Sequence, residues 1–344
     1  MLRVGIVGAT GYAGGELLRL LSLHPNVKVV CVTSGQSVGK DLIDRQPFLK
    51  GHYHLELEAL DPMRISGKVD FLFVALSHTD AMTPVAKFIG FGKKVVDLSA
   101  DYRIRSVSSY EKWYGRPHLY PSLVKKSVYG LSEVYRKRIA SAMLVANPGC
   151  YPTGALLPMV PFLEEGLIDG TREIIIDAKS GISGAGRSPS EKTHFPTVND
   201  ALTPYNIGSH RHLPEIVQEV RSIGKTKSPV LFTPYLLPVN RGLLTTVYLP
   251  LNKKMSQRQI DGALKRYKNE RFIRIVSGSP SLSHVRGTNY CDIGAFSTAS
   301  GRTALLISAI DNLGKGAAGQ AIQNMNIMMG WSEETGLFAP GIFP

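Results

Sequence analysis

A glycine loop at the start of the chain is what most restricts the fold. Leu2–Val7 is a short apolar run, followed by Gly8-Ala9-Thr10-Gly11-Tyr12-Ala13-Gly14. Gly15–Leu23 then carries Leu17, Leu18, Leu20 and Leu21 at helical spacing. His24-Pro25-Asn26 breaks that helix, and Val27–Val32 supplies a second strand. A strand, a glycine turn, a helix and another strand in so short a span describe the first unit of a dinucleotide-binding domain. Glycines let the backbone turn tightly and approach a pyrophosphate, which rests on the free N–H groups of the helix start. The spacing is G-x-x-G-x-x-G rather than the commoner G-x-G-x-x-G. A glycine triplet also suits a plain structural turn; the flanking strand and helix favour the nucleotide, with Gly8, Thr10, Gly11, Tyr12, Ala13 and Gly14 as its contacts.

The end of the second strand bears on which dinucleotide. Domains that prefer NAD usually place an acid there for the ribose 2′-hydroxyl. This chain reads Thr33-Ser34-Gly35-Gln36-Ser37-Val38-Gly39-Lys40. Hydroxyls and a lysine suit a 2′-phosphate, so NADP(H) is the expected cofactor, with Ser34, Ser37 and Lys40 near the phosphate.

Further strands are expected at Asp70–Ala75, Lys94–Asp97 and Met143–Ala146, with a helix at Thr83–Phe91 and a long excursion over Ser106–Val128. Beyond residue 150 the texture changes. Glu173–Ala178, Val230–Tyr235, Leu243–Leu249 and Ile293–Ser297 are β-like runs between glycine- and proline-containing loops, with a helix at Met255–Asn269. The expected class is α/β: a Rossmann-type dinucleotide-binding domain over 1–149, with a further helical stretch over 312–344 at the C-terminal end. An α+β domain with a mainly antiparallel sheet fills 150–311. At 344 residues the chain is long enough for two such cores.

The chemistry points to Asn147-Pro148-Gly149-Cys150-Tyr151-Pro152-Thr153-Gly154, where a polar turn delivers a cysteine to the start of an apolar helical stretch. Helix-start N–H groups favour negative charge, and the thiolate is the nucleophilic form. Most cysteines are small buried hydrophobes. Cys31, between valines, and Cys291 read that way, and three cysteines without metal-ligand spacing fit a reducing cytoplasm. A thiolate combined with a nicotinamide cofactor has a defined use: it takes an acyl group as a thioester, which hydride then reduces.

That scheme needs an acid/base. His210-Arg211-His212-Leu213-Pro214-Glu215 precedes the helical run Ile216–Arg221, and Pro214 suits a first helical position. The histidines then lie in the entering loop, where Glu215 can orient an imidazole; a solvated surface turn is the alternative. His78 and His194 are weaker candidates. Lys179–Arg187 contains Ser183, Gly184, Ala185 and Gly186, whose backbone suits a phosphate or the nicotinamide end of the cofactor. Asn312 opens the C-terminal helix, and its amide suits the nicotinamide carboxamide, helix capping being compatible with that role.

The formal net charge of +13 suits nucleic acid or anionic small molecules. Basic residues are scattered, with only short runs such as Lys125-Lys126 and Arg136-Lys137-Arg138, and no nucleic-acid-binding signature accompanies them. No apolar run approaches the roughly 20 residues that span a bilayer. A small acidic substrate in the cytoplasm is the expected partner, without nucleic acid, membrane or metal.

Taken together, these motifs resemble the N-acetyl-γ-glutamyl-phosphate reductase family of the aspartate-semialdehyde dehydrogenase superfamily. The resemblance runs from Gly8–Gly14 through Asp97-Leu98-Ser99-Ala100-Asp101-Tyr102-Arg103, Asn147–Thr153, Ser180–Arg187, His210–Glu215 and Pro238–Gly242 to Asp311–Gln320. No catalytic position departs from it. It implies NADPH-dependent reduction of an acyl phosphate to a semialdehyde, with Cys150 as nucleophile and His212 as acid/base supported by Glu215. Arg103 matches a position near the acyl phosphate; His210, Arg211 and Arg241 are candidates for substrate anions. It also implies that the C-terminal helix over 312–344 completes the dinucleotide-binding domain, that 150–311 is an inserted dimerisation domain, and that the protein forms homodimers or homotetramers. A related reductase, whose longer acidic substrate is carried on a protein, shares the motifs and would use a basic surface. A redox-sensing NADP-binding regulator on the same fold is the reading from another class.

Overall fold

In the computed structural model, which describes residues 1–342, the chain forms two compact units. Met1–Pro148 with Ala317–Phe338 makes the first, and Gly149–Gly316 with a terminal piece from Ala339 makes the second. The return to the first unit therefore falls at Ala317 and not at Asn312, and the last described residues do not join the first unit. Both departures have a visible cause. Asp311 is tied to Arg241 and to the Gly287 amide, and the Ile342 amide donates to the Arg286 carbonyl. No helix among the described residues is long and apolar enough to cross a membrane.

Apolar runs of three to seven residues give the first unit β1 (Leu2–Val7), β2 (Val27–Thr33), β4 (Phe71–Val74), β5 (Lys94–Asp97) and β7 (Leu144–Ala146). The two-residue strands β3 (Leu57–Glu58) and β6 (Val128–Tyr129) complete the set. They lie in the order β3-β2-β1-β4-β5-β7-β6, and every pairing is parallel. Near-continuous burial of β1 and β4 fits a sheet covered on both faces. The strand order reverses between β1 and β4, the point at which doubly wound sheets bind ligands. The excursion after β5 holds two short helices, Val107–Tyr114 and Pro121–Lys126. The returning helix Gly319–Met328 is buried along its whole length. Its polar side chains are paired: Asn324 donates to the Gly130 carbonyl and to Asn147 Oδ1, and Gln320 to Gly130 and Ser132.

The second unit contains β8 (Ile174–Gly181), β9 (Thr203–Pro204), β10 (Val230–Leu237), β11 (Leu243–Pro250), β12 (Ile273–Ile275), β13 (Cys291–Ser297) and β14 (Thr303–Ile310). Their order is β12-β13-β14-β11-β8-β10-β9. The sheet is mixed: β8–β10 and β12–β13 are parallel and the other pairings antiparallel. β14 is a strand that the sequence reading did not single out, and the helix expected at Met255–Asn269 is shorter, Gln257–Leu264, followed by a single 3-10 turn. Helix Cys150–Glu164 is apolar all round and packs on β11 and β14 and on helix Leu213–Gly224. Gly154 permits that approach: a Cβ there would stand 2.7 Å from Leu243 Cδ2.

The other sheet face carries an apolar row. Register places Leu231, Ile175, Tyr248, Leu305 and Phe296 side by side on five adjacent strands. Leu231, Ile175 and Tyr248 are exposed.

Candidate active site

Cys150 is the first residue of its helix, with Gly149 as extended N-cap. Thr153 closes the first turn by donating both its amide and its hydroxyl to the Gly149 carbonyl, at 3.0 and 2.9 Å. Pro152 brings no N–H, so the amides left outside the helical ladder are those of Gly149, Cys150 and Tyr151. The Gly149 amide donates to Glu215 Oε1 at 2.9 Å. Those of Cys150 and Tyr151 leave a partial positive charge at the thiol's end of the helix. Cys150 is half-buried, whereas Cys31 and Cys291 are buried.

Glu215 belongs to the first turn of helix Leu213–Gly224, whose N-cap is His212 and which has a proline in its first turn. One helix start thus grips the other. A Cβ at position 149 would lie 2.5 Å from His212 Nε2, so the Nε2 edge of that imidazole lies against the residue preceding the nucleophile. Only glycine leaves room for it. On another side Gly316 approaches so closely that a Cβ there would be 2.8 Å from Cys150 Cβ.

Around this centre the 180s loop is fastened by Asn312. Its Oδ1 accepts the Gly242 amide at 2.7 Å and its Nδ2 donates to Ser183 Oγ at 2.9 Å. Gly184, Ala185 and Gly186 are exposed. Arg241 is held by Asp311, which is wholly buried and also accepts the amides of Gly287, Leu313 and Gly314. Arg211 is exposed.

The first unit holds the glycine loop. Gly8 has φ +88° beside the Ala75 carbonyl, and a Cβ on Gly14 would collide with the Gly8 carbonyl, so both are required by the turn itself. Gly11, the N-cap of helix Tyr12–Leu21, is different: its nearest neighbour would be 3.7 Å away, and no side chain caps that helix. Its first turn contains no acid. Open N–H groups and an open Cα surface fit a pyrophosphate. Beyond β2, Ser34 is buried with its Oγ 3.4 Å from Thr10 Oγ1, and Ser37 Oγ accepts from Arg45 Nε at 2.7 Å. Lys40 is exposed. Arg103 follows β5 in a tightly bonded turn. Asp97 accepts the Ser99 amide and hydroxyl, and Asp101 accepts the Tyr110 hydroxyl and the Thr79 amide. Arg103, nearly buried, donates to the Leu98 carbonyl at 2.7 Å.

Residues 3–142 match the model of the semialdehyde dehydrogenase NAD binding domain, and residues 150–312 that of the semialdehyde dehydrogenase dimerisation domain. Over the full length of both proteins, the chain is 48% identical to the N-acetyl-gamma-glutamyl-phosphate reductase of Geotalea daltonii. It is 46% identical to that of Methanosphaera stadtmanae, over 99% of this chain and 98% of the relative. The chain belongs to the N-acetyl-gamma-glutamyl-phosphate reductase family. Its fold is also that of solved aspartate semialdehyde dehydrogenases. Type II from Vibrio cholerae, complexed with ASA, superposes with a TM-score of 0.73 at 17% identity, over 96% of this chain and 98% of that one. The Candida albicans enzyme with NADP gives 0.70 at 18% identity, over 96% and 99%.

Within this reductase family framework, the second unit brings Cys150, His212, Glu215 and His210 together, and fastens Asn312, Ser183 and Arg241 through Asp311 and Gly242. His210 is held in its neutral form. Burial and the neighbouring Arg211 hold its pKa down at about 4, and both ring nitrogens are engaged within the protein. It has no positive charge to offer an anion at neutral pH. Arg241, engaged by Asp311, braces the segment that carries Asn312. Four residues escaped the sequence reading. Asp311 stood beside Asn312 with no mark of its bonds. Gln46 donates from Nε2 to the Ala9 carbonyl at 3.0 Å, pinning the glycine loop from a remote helix end. Arg45 was adjacent to it, and Tyr205 lies in a stretch without motif.

Proposed function

We propose that the chain reduces N-acetyl-γ-glutamyl phosphate to N-acetylglutamate 5-semialdehyde with release of phosphate, an arginine-biosynthetic step. The observation that carries the reading is Cys150 at a helix start, with the Nε2 edge of His212 packed against the preceding glycine. The Cys150 sulfur forms a bond to the acyl carbon as the carbon–phosphate oxygen bond breaks. His212 takes the thiol proton and returns it to an oxygen that becomes negative as the reaction proceeds. Glu215 fixes the Gly149 turn and thereby the thiol's position; Arg103 and Arg211 supply positive charge for the substrate's anionic groups. A bound nicotinamide cofactor would supply the hydride that reduces the thioester; as the carbon–sulfur bond then breaks, the sulfur takes the electron pair and the oxygen's proton returns through His212 to the thiol, freeing the aldehyde. Acid–base help of this kind is worth roughly 10²–10⁴-fold.

NADPH is the preferred donor in this reading, supported by Ser34, Ser37, Lys40 and the Arg45 guanidinium bonded to Ser37, with no acid at the end of β2. The fit of the Gly8–Gly14 loop to a pyrophosphate and of Ser183–Gly186 with Asn312 to the nicotinamide end belongs to the same reading. The chain assembles as a homo-oligomer through the second unit; the apolar row Leu231-Ile175-Tyr248-Leu305-Phe296 and the dimerisation-domain match support this.

The test is the reverse reaction: N-acetylglutamate semialdehyde, phosphate and NADP with purified protein, beside NAD and beside the one-carbon-longer semialdehyde. Phosphate-dependent NADPH formation with the shorter aldehyde is expected, and Cys150→Ser should lower it by about a thousandfold or more. Wild-type turnover in that variant, or preference for the longer aldehyde, overturns the proposal.

A further inference from the structure

Three aromatic side chains and one backbone amide join the histidine loop to the helix that carries the nucleophile. His210 Nδ1 accepts the His212 backbone amide at 3.1 Å. The ring is neutral at ordinary pH, so its proton sits on Nε2, which faces the Tyr205 hydroxyl at 3.3 Å. Tyr151 donates its hydroxyl to the Tyr235 carbonyl at 3.2 Å and stands 2.9 Å from the Tyr205 hydroxyl. His210 donates to Tyr205, whose hydroxyl shares a hydrogen bond with that of Tyr151, and Tyr151 is anchored in turn to the strand carrying Tyr235. Edge-on rings wall His210 in, Tyr151 at 5.2 Å, Phe232 at 5.4 Å and His212 at 4.9 Å between centroids.

We infer that His210 is a positioning residue: oriented by Tyr205 and Tyr151, it holds the His212 backbone and so sets where the His212 imidazole stands beside Gly149 and Cys150. The loop closes on itself, because Tyr151 directly follows the nucleophile. His212 is thereby located twice, from Glu215 at the Gly149 amide and from Tyr151 through His210. Arg211, the one charged neighbour that shifts His210, opposes its protonation and so preserves the acceptor on Nδ1. This rests on the acid/base reading of His212, and it gives His210 a role other than binding the substrate's anions.

Replacements at position 210 separate the two ring nitrogens. Asparagine keeps an acceptor that reaches the amide two residues on, as in an Asx turn, and loses the Tyr205 bond. Glutamine reaches towards Tyr205 and loses the turn. In the reverse assay, His210→Gln and His210→Leu should lower kcat by about 100-fold, the cost of an ångström's misplacement, with KM for phosphate within about twofold. His210→Asn should restore kcat to within about tenfold of the parent. Tyr205→Phe, which removes one hydroxyl and no packing, should lower kcat by about two- to tenfold at unchanged KM, and serves if the His210 variants fold poorly. A raised phosphate KM with unchanged kcat across the His210 set makes it an anion ligand and overturns the inference. So does His210→Asn as slow as His210→Leu, or Tyr205→Phe with parental kcat. His212→Asn runs alongside: parental turnover there overturns the acid/base reading itself, whereas a slow His212→Asn with a fast His210→Gln overturns the positioning role alone.

Discussion

Buried ionisable side chains give individual residues opposite dependences on pH. His210 is pushed from the usual 6.5 down to about 4 by burial and by Arg211. Between those values the unfolded chain binds a proton that the folded chain does not, so this group's contribution to stability is intact above pH 6.5 and is lost as pH falls towards 4. His24 and His118, both lowered by burial, act with the same sign. Asp97 acts the other way: burial and the nearby Asp101 raise it to about 7, so its contribution is intact below the ordinary carboxylate value of 3.8 and is lost as pH rises to 7. His210→Asn cannot titrate. Its urea-unfolding free energy should therefore fall less between pH 7 and pH 5 than the parent's, and an equal fall would show that His210 is charged in the fold. From sequence, the placement of Cys150 and His212 at helix starts was legible, because a polar turn precedes Cys150 and Pro214 follows His212. The state of His210 was not, because it depends on Phe232, Tyr205 and Tyr151, which no local spacing links to it.

Helix starts are the elements that make the site. Helices Cys150–Glu164 and Leu213–Gly224 lie side by side with their starts joined by the Glu215–Gly149 bond, and the histidine ring fits only because position 149 has no side chain. Gly149→Ala should displace His212 and lower kcat by about 100-fold. Far-ultraviolet circular dichroism should stay unchanged, because the extended N-cap backbone is open to alanine. Parental turnover would place the ring elsewhere. The first unit's strands were readable because short apolar runs between breakers have few other uses in a parallel sheet. β14 was missed although a turn with Gly301 at φ +66° joins it to β13 as a hairpin: Ala304-Leu305-Leu306-Ile307 are apolar in a row, without the alternation that marks a half-buried strand. The two-residue strands β3 and β6 carry too few residues for any periodicity.

At the scale of the whole molecule, the second sheet's mixture of parallel and antiparallel pairings reflects chain crossings that alternation along a strand does not encode. The bonds of Asp311 likewise drew the segment after β14 into the second unit, where the family resemblance had placed it with the first. The distribution of sulfur over the molecule has a practical consequence. Cys31 lies in the parallel sheet with its thiol pushed up to about 12 by burial, and Cys291 is wholly enclosed in the mixed one. Brief iodoacetamide treatment of the native protein at neutral pH should therefore add a single carbamidomethyl group, seen as one mass increment, with activity lost in proportion to its appearance. A second adduct before inactivation is complete would contradict the burial. Otherwise the reagent counts working active sites in any preparation without a substrate being present.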